Sequence, residues 1–370
     1  MEFTLSEERR MIADTAERYL RERYTIETRR ANAACEGGYS THQWGEMAEL
    51  GLLGALLPPD AGGIGGTGED IALVFEHLGR AGVVEPFLAT AILGATPMWR
   101  LGADDDLLAE VAEGRLTLAF AHGEPEGRYS PSYVATRAQQ QGATWRLSGR
   151  KAVVLNGDSA DHLVVSARLS GTVDGADGLG LFLVDPASAG VDRRGYGTIE
   201  GGHAAEITLD GAAATAIGVP GEAFAVIEET LARACLALSA EALGLAETCK
   251  DITLDYLKTR RQFGRSLGQF QAIQHRMVEM VLEIEQLRSA VMLAAARLET
   301  DRATREPLVS AAKNLAGRVG KLVAEESIQL HGGIGMTWDY SLPHYAKRLV
   351  MIDHLFGDAD HHLVRFAEHA

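Results

Sequence analysis

Thr259-Arg-Arg-Gln-Phe-Gly264, followed by Phe270-Gln-Ala-Ile-Gln-His275, and then Gln329-Leu-His-Gly-Gly-Ile-Gly335 are the stretches of this chain that decide its fold. The first and the last follow a helical pattern. From Thr230 to Lys258 the apolar residues Leu231, Leu238, Leu245, Cys249, Ile252 and Tyr256 recur at helical spacing, the stripe of one long buried helix. That helix ends in a double arginine. A guanidinium beside Gln-Phe-Gly is placed to give fixed hydrogen bonds to a phosphate or diphosphate. Gly332-Gly333 lets backbone amides approach the same ligand closely.

The chain has 370 residues, 46% of them apolar, enough for one large core or two to three smaller ones. Its net charge of −16 leaves no basic face for nucleic acid or an anionic membrane, so neither is expected as a partner. Three cysteines, Cys35, Cys235 and Cys249, lack metal-ligand spacing, and the last two lie in the helical stripe, as core thiols of a reducing compartment do. His361 and His362 with Asp360 do not make a metal site, because adjacent histidines on a helix diverge. The N-terminus from Met1 to Arg10 is too charged for a signal peptide, and no apolar run reaches the ~18 residues of a membrane span. The expected location is cytoplasmic.

The order along the chain is α, then β, then α, an α+β architecture. Ser6 with Glu7-Glu8 caps a first helix, and Thr41–Leu50, Glu69–Leu78, Phe87–Leu101 and Asp104–Val111 continue the helical region to about Gly114. Gly63-x-Gly65-x-x-Gly68 matches a dinucleotide fingerprint, but Pro58-Pro59 and a turn precede it where that motif needs a strand, so it reads as a linking turn. After Gly114 the period changes to two. Leu116–Ala121, Val134–Ala138, Thr144–Leu147, Lys151–Leu155, His162–Ala167, Leu179–Val184, Val191–Tyr196 and Ala204–Leu209 predict a compact antiparallel β-domain. Within it Gln141-Gly142 marks a hairpin, and Gly171–Gly178 reads as a mobile loop. Glu222 opens the long helix, and Phe270–Leu298 and Leu308–Leu330 are two more, followed by shorter ones in a helical bundle. The expected domains are 1–114, 115–220 and 221–370.

The paired motifs and their distance from the C-terminus make the chain similar to the acyl-CoA dehydrogenases, over nearly its whole length. That resemblance implies the three-domain acyl-CoA dehydrogenase-like fold, FAD as cofactor and an acyl-CoA substrate. It further implies an electron-transfer flavoprotein or similar electron acceptor, and a clamp on the diphosphate end of FAD bound mainly by the neighbouring subunit. Carried over residue by residue, the cofactor contacts fall on Arg260, Gln262, Phe263, Phe270, Gln271, Gln329, Gly332 and Gly333, with Leu155 in the middle domain. The middle domain departs from the family's pattern. Phe120-Ala-His-Gly-Glu-Pro keeps Glu124 and Pro125 but has Gly123 for a threonine, and Tyr129 stands for a serine. Val153-Val-Leu-Asn156 has valine for tryptophan and Leu155 for the second threonine, so hydroxyl donors to the flavin are missing.

Dehydrogenation also requires a carboxylate to take the α-proton while the β-hydrogen leaves as hydride to the flavin. The family's two usual glutamate positions fall on Phe356 or Gly357 and on Ala234, none of them acidic. Glu241 shares a helix face with Ala234, Leu238, Gly244, Leu245 and Ile252, where desolvation would raise its basicity; alternatively it is a structural glutamate paired with an arginine such as Arg233 or one on a neighbouring helix. Asp358 is nearest the usual base, or else caps a terminal turn. These features predict a subunit of a homo- or hetero-tetramer, the smaller one beside a larger acyl-CoA dehydrogenase subunit. The alternatives are a self-sufficient homotetrameric enzyme using Glu241 and a non-catalytic acyl-CoA-binding or assembly subunit.

Overall fold

The computed structural model describes residues 5–103 and 105–369. The helices are α1 (Glu7–Arg23), α2 (Ile26–Ala33), α3 (Thr41–Glu49), α4 (Gly68–Ala81), α5 (Ala95–Arg100) and α6 (Asp105–Ala112), with a π-helical stretch Leu88–Gly94 before α5. Seven strands follow: β1 (Leu118–Ala121), β2 (Arg137–Gln141), β3 (Thr144–Leu155), β4 (His162–Arg168), β5 (Leu179–Val184), β6 (Val191–Gly197) and β7 (His203–Gly221). The rest is α7 (Phe224–Thr259), a hairpin β8 (Arg261–Gln262) and β9 (Arg265–Ser266), then α8 (Gln271–Arg297), α9 (Arg302–His331), α10 (Leu342–His354) and α11 (Ala359–His369). Asp104, the expected start of α6, and Met1–Thr4 lie outside the described residues.

The chain forms two compact units. The first comprises the described residues of 1–29, 67–83 and 235–370 and is helical. In it α9 packs against α8, α10 and α11, around Ile284, Leu287, Val319, Val323, Leu349 and Ile352, all buried. Helix α4 opens with a capping box in which the Thr67 hydroxyl accepts from the Asp70 amide and Asp70 accepts from the Thr67 amide. It crosses α7 at glycines: a side chain on Gly79 would come within 2.2 Å of the Glu241 carbonyl oxygen, and one on Gly244 within 2.1 Å of that of Glu76. Only glycine allows that approach.

The second unit holds residues 30–66 and 84–234, and its centre is the β-domain. Strand β4 pairs with β2, then β3, β7 and β5, and β5 returns to β4, so the sheet closes around Leu147, Val154, Leu163, Val165, Phe182, Val184 and Ile207. The strands are not all antiparallel as expected: β1 runs parallel to β4, from Leu118↔His162 to Ala121↔Val165, because β1 enters from the helices and not from a hairpin. Thr144–Leu147 and Lys151–Leu155 are one strand, with register shifts at Leu147/Ser148 and Lys151/Val154. The alternation broke at those shifts, where an extra residue turns side chains to the other face.

The Gly171–Gly178 loop is not free to move as its composition suggested. Buried Arg168 donates to the carbonyls of Val134, Ser132, Val173, Gly175 and Asp177 at 2.8–3.0 Å. The Gly62–Gly68 segment follows a 3-10 turn at Pro59–Ala61 and no strand, as the sequence required.

Candidate functional site

Helix α7 ends at Thr259, and the chain turns back through β8 and β9 with Phe263 (φ 52°) and Gly264 (φ 79°) at its tip. Two successive positive φ values are the mark of a type I′ hairpin, unusual for an aromatic residue. The result is that Phe263 stands 89% exposed, edge-on to Phe270 with centroids 6.2 Å apart, while the Arg265 guanidinium lies 3.9 Å over the Phe270 ring. The Arg260 backbone is fixed by its amide to the Tyr256 carbonyl at 2.8 Å and by its carbonyl to the Leu267 amide at 2.9 Å. Its guanidinium is exposed and has no hydrogen-bond or ion-pair partner among the described residues. Gln271 and Gln329 are exposed as well.

At the end of α9, Gly332 (φ 66°) stops the helix. A side chain on Gly332 or Gly333 would meet nothing within 4 Å. At Gly333, whose φ is not positive, neither packing nor conformation inside the chain calls for glycine. An open face above a backbone that needs no glycine of its own suits a ligand that approaches from outside. Free guanidinium, exposed amides and glycine turn together fit an anionic diphosphate.

The two carboxylates selected from sequence are both engaged. Glu241 does not meet Arg233 but receives Arg348 through both oxygens, Nε to Oε1 at 2.6 Å and an Nη to Oε2 at 2.8 Å. The glutamate side chain is 8% exposed and the arginine 17%. Both oxygens of this carboxylate are committed to one guanidinium, the bidentate arrangement of a structural ion pair. Asp358 caps α11, its Oδ1 accepting from the His361 amide at 2.8 Å. The loop before it is held from several sides: the Lys313 ammonium donates to the Gly357 carbonyl at 2.7 Å, and His362 Nε2 lies 3.2 Å from the Phe356 carbonyl. Burial raises the Cys235 thiol to about 11 and keeps His362 down to about 3, so this pair, 3.9 Å apart, is neutral and unreactive.

In the β-domain Glu124 is structural. Burial alone would raise its pKa, but Lys151 at 2.8 Å, with the Thr136 hydroxyl at 2.6 Å and the amides of Ala135 and Thr136, holds it below the usual carboxylate range. Lys151 is wholly buried and lowered to about 8, and His122, hydrogen-bonded through Nδ1 to Ser166 at 2.9 Å, is brought down to about 3 by burial and then by the Lys151 charge. Val153 sits in the second bulge of β3 at φ 51°, 53% exposed, its amide donating to Glu206, which also accepts the Tyr196 hydroxyl. Leu155 is half-buried opposite Ala204. A flavin ring bound here would find no side-chain hydroxyl at Val153 or Leu155, and a carboxylate beside them. The groups at Arg260 and Gly332-Gly333 are of a kind that fits the diphosphate of FAD; the face at Val153 and Leu155 would offer the flavin ring little beyond backbone.

Sequence reading missed the Tyr256–His331–Tyr340 ring stack next to Gly332 and the Arg168 hub. His331 lay inside a quoted motif, and that was its only signal. Among the described residues no group of three or more His, Cys, Asp or Glu could hold a metal, and no helix is long and apolar enough to cross a membrane.

Profiles of the acyl-CoA dehydrogenase N-terminal, middle and C-terminal domains match residues 6–112, 119–211 and 221–369. The acyl-CoA dehydrogenase IpdE2 of Mycobacterium tuberculosis (strain ATCC 25618 / H37Rv) is 30% identical over 347 residues, 93% of this chain and 92% of that protein. A solved variant of the Tcur3481-Tcur3483 steroid ACAD is 34% identical with a TM-score of 0.89, covering 99% of this chain and 98% of that one. The ChsE4-ChsE5 complex from Mycobacterium tuberculosis gives 25% identity and a TM-score of 0.89, over 100% and 98%. The chain belongs to the acyl-CoA dehydrogenase family, FAD-dependent oxidoreductases that act on acyl-CoA.

Proposed function

We propose that this chain is the small subunit of a two-subunit acyl-CoA dehydrogenase, lending Arg260, Gln262, Phe263, Gln329 and the Gly332-Gly333 turn to FAD held mainly by a larger partner that carries the base. The observation that carries this reading is the contrast within one unit: Arg260 is left free, whereas Glu241 is occupied by Arg348 and Asp358 by a helix N-terminus. Two solved relatives named as pairs, Tcur3481-Tcur3483 and ChsE4-ChsE5, support it, and the steroid named with the first favours a ring-bearing acyl-CoA. The ending Leu355-Phe-Gly-Asp-Ala-Asp-His-His362 resembles the small subunit of pimeloyl-CoA dehydrogenase, which favours a dicarboxylyl-CoA instead. When bound, FAD accepts the hydride; the residues of this chain orient and neutralise its diphosphate.

The test is co-purification with the larger subunit and acyl-CoA-dependent bleaching of the flavin spectrum, comparing a ring-bearing acyl-CoA with pimeloyl-CoA. Arg260→Ala should weaken FAD binding by ~1.5–3 kcal/mol, the range of a hydrogen bond to a charged group. Unchanged FAD affinity in that variant overturns the reading. Loss of bleaching in Glu241→Gln beyond its loss of folded protein would return the base to this chain and favour the self-sufficient homotetramer.

A further inference from the structure

We propose that His331, clasped between Tyr256 and Tyr340, is a positioning residue that couples the two arms of the flavin clamp; this rests on the clamp reading above. The arms come from the ends of different helices, Arg260 after α7 and Gly332-Gly333 after α9. Both are exposed, and the Arg260 side chain has no partner among the described residues, so their separation must be set from below. A clamp gains from two arms only if both are held at fixed spacing before the ligand arrives.

What lies below is one buried imidazole. His331 is 4% exposed and immediately precedes Gly332. Its ring stacks on Tyr256, centroids 4.4 Å apart at 24°, and the Tyr256 carbonyl accepts the Arg260 amide at 2.8 Å. The root of one arm is therefore pressed on the root of the other. The ring cannot turn: Nδ1 lies 2.8 Å from the Ser327 carbonyl, which only accepts, so Nδ1 carries the proton, and Nε2, 3.2 Å from the Tyr340 hydroxyl, accepts from it. Burial holds the His331 pKa below its ordinary value, in keeping with the neutral ring this needs. The turn packs back on the helix end at Gly335, where a side chain would come within 2.9 Å of the His331 Cβ. Phenylalanine would fill the stack without fixing it, and leucine would do neither.

The experiment is a fluorescence titration of FAD into the flavin-stripped oligomer as purified, for wild type, His331→Ala, His331→Phe, Tyr340→Phe, Arg260→Ala and the His331→Ala/Arg260→Ala double variant. His331→Ala is expected to weaken FAD about tenfold, His331→Phe and Tyr340→Phe by a smaller factor, and His331→Ala to add less than about twofold once Arg260 is gone. Such non-additivity marks a residue acting through Arg260. Fully additive losses, or unchanged affinity in His331→Ala beside a weakened Arg260→Ala, overturn the proposal while leaving the clamp standing. A silent Arg260→Ala removes the clamp itself and this inference with it. If His331→Ala does not fold, the same cycle with His331→Phe, which keeps the ring volume, decides the matter by the same criterion.

Discussion

Glu241 and Arg348 show how one ion pair reassigns a residue. Of the two roles its helix face allows, base or structural partner of an arginine, Glu241 takes the second, with a guanidinium from α10, and its removal takes a carboxylate from that cation in a site only 17% exposed. Glu241→Leu is therefore expected to lower stability by about 2–4 kcal/mol, with Arg348→Met in the same chain recovering most of it, read from urea unfolding. His122 gives the pH dependence. Its folded pKa of about 3 lies below the ordinary 6.5, so below 6.5 the unfolded chain binds a proton that the folded chain refuses. Its contribution is intact above 6.5 and falls on acidification toward 3, by up to ~1.4 kcal/mol per pH unit. His122→Gln should flatten the decline in urea midpoint between pH 6.5 and 5; an unchanged slope would show that His122 is not its source.

At the scale of elements, Arg168 is the clearest case of one side chain setting a loop. With its head among backbone carbonyls from Ser132 to Asp177, Arg168→Met is expected to free the 170–178 segment, with faster proteolysis there and a loss of about 3 kcal/mol or more, since several buried carbonyls lose their donor together. Equal cleavage of variant and wild type would mean the loop is held otherwise. Composition could not reveal this, because Gly171, Gly175 and Gly178 read as freedom while their restraint comes from a strand. The helices were more legible. α4 and α7 carry their periodicity in the open, whereas α9, expected from Leu308, begins at Arg302 behind the Asp301 cap and tolerates Pro307 near its first turns. In β3 the bulges hid a single strand, and β7 ran on to Gly221 through Gly211, Gly218 and Pro220, residues that usually end strands. Of the candidate site, the Arg260 and Gly332-Gly333 segments stand out in the sequence because their residues are adjacent along the chain. The Arg348 partner of Glu241 was not, since it lies 107 residues away.

At the scale of the molecule, the surface asks for company. Val278, Val281, Leu282, Met292 and Leu293 form an exposed row along α8, and Met336 (76%) and Trp338 (59%) stand out near the end of α9. Rows of this kind mark association surfaces, and the proposed clamp for another subunit's cofactor would have no use in a monomer. Light scattering should find an oligomer at micromolar concentration, and Leu282→Glu should weaken it. The sharper expectation concerns flavin. On the proposed reading the β-domain, with Val153 and Leu155 where hydroxyl donors would be useful and Glu206 on the Val153 amide, would be a poor seat for the ring, while Arg260 would serve the diphosphate. Expressed alone it should lose FAD on dialysis, and purified with a larger subunit it should keep FAD at one per pair of chains. Absorbance of the dialysed preparations measures both. Full flavin retained by this chain alone would show that backbone groups of its β-domain suffice, and would turn the assignment from a clamp-lending subunit to an enzyme complete in itself.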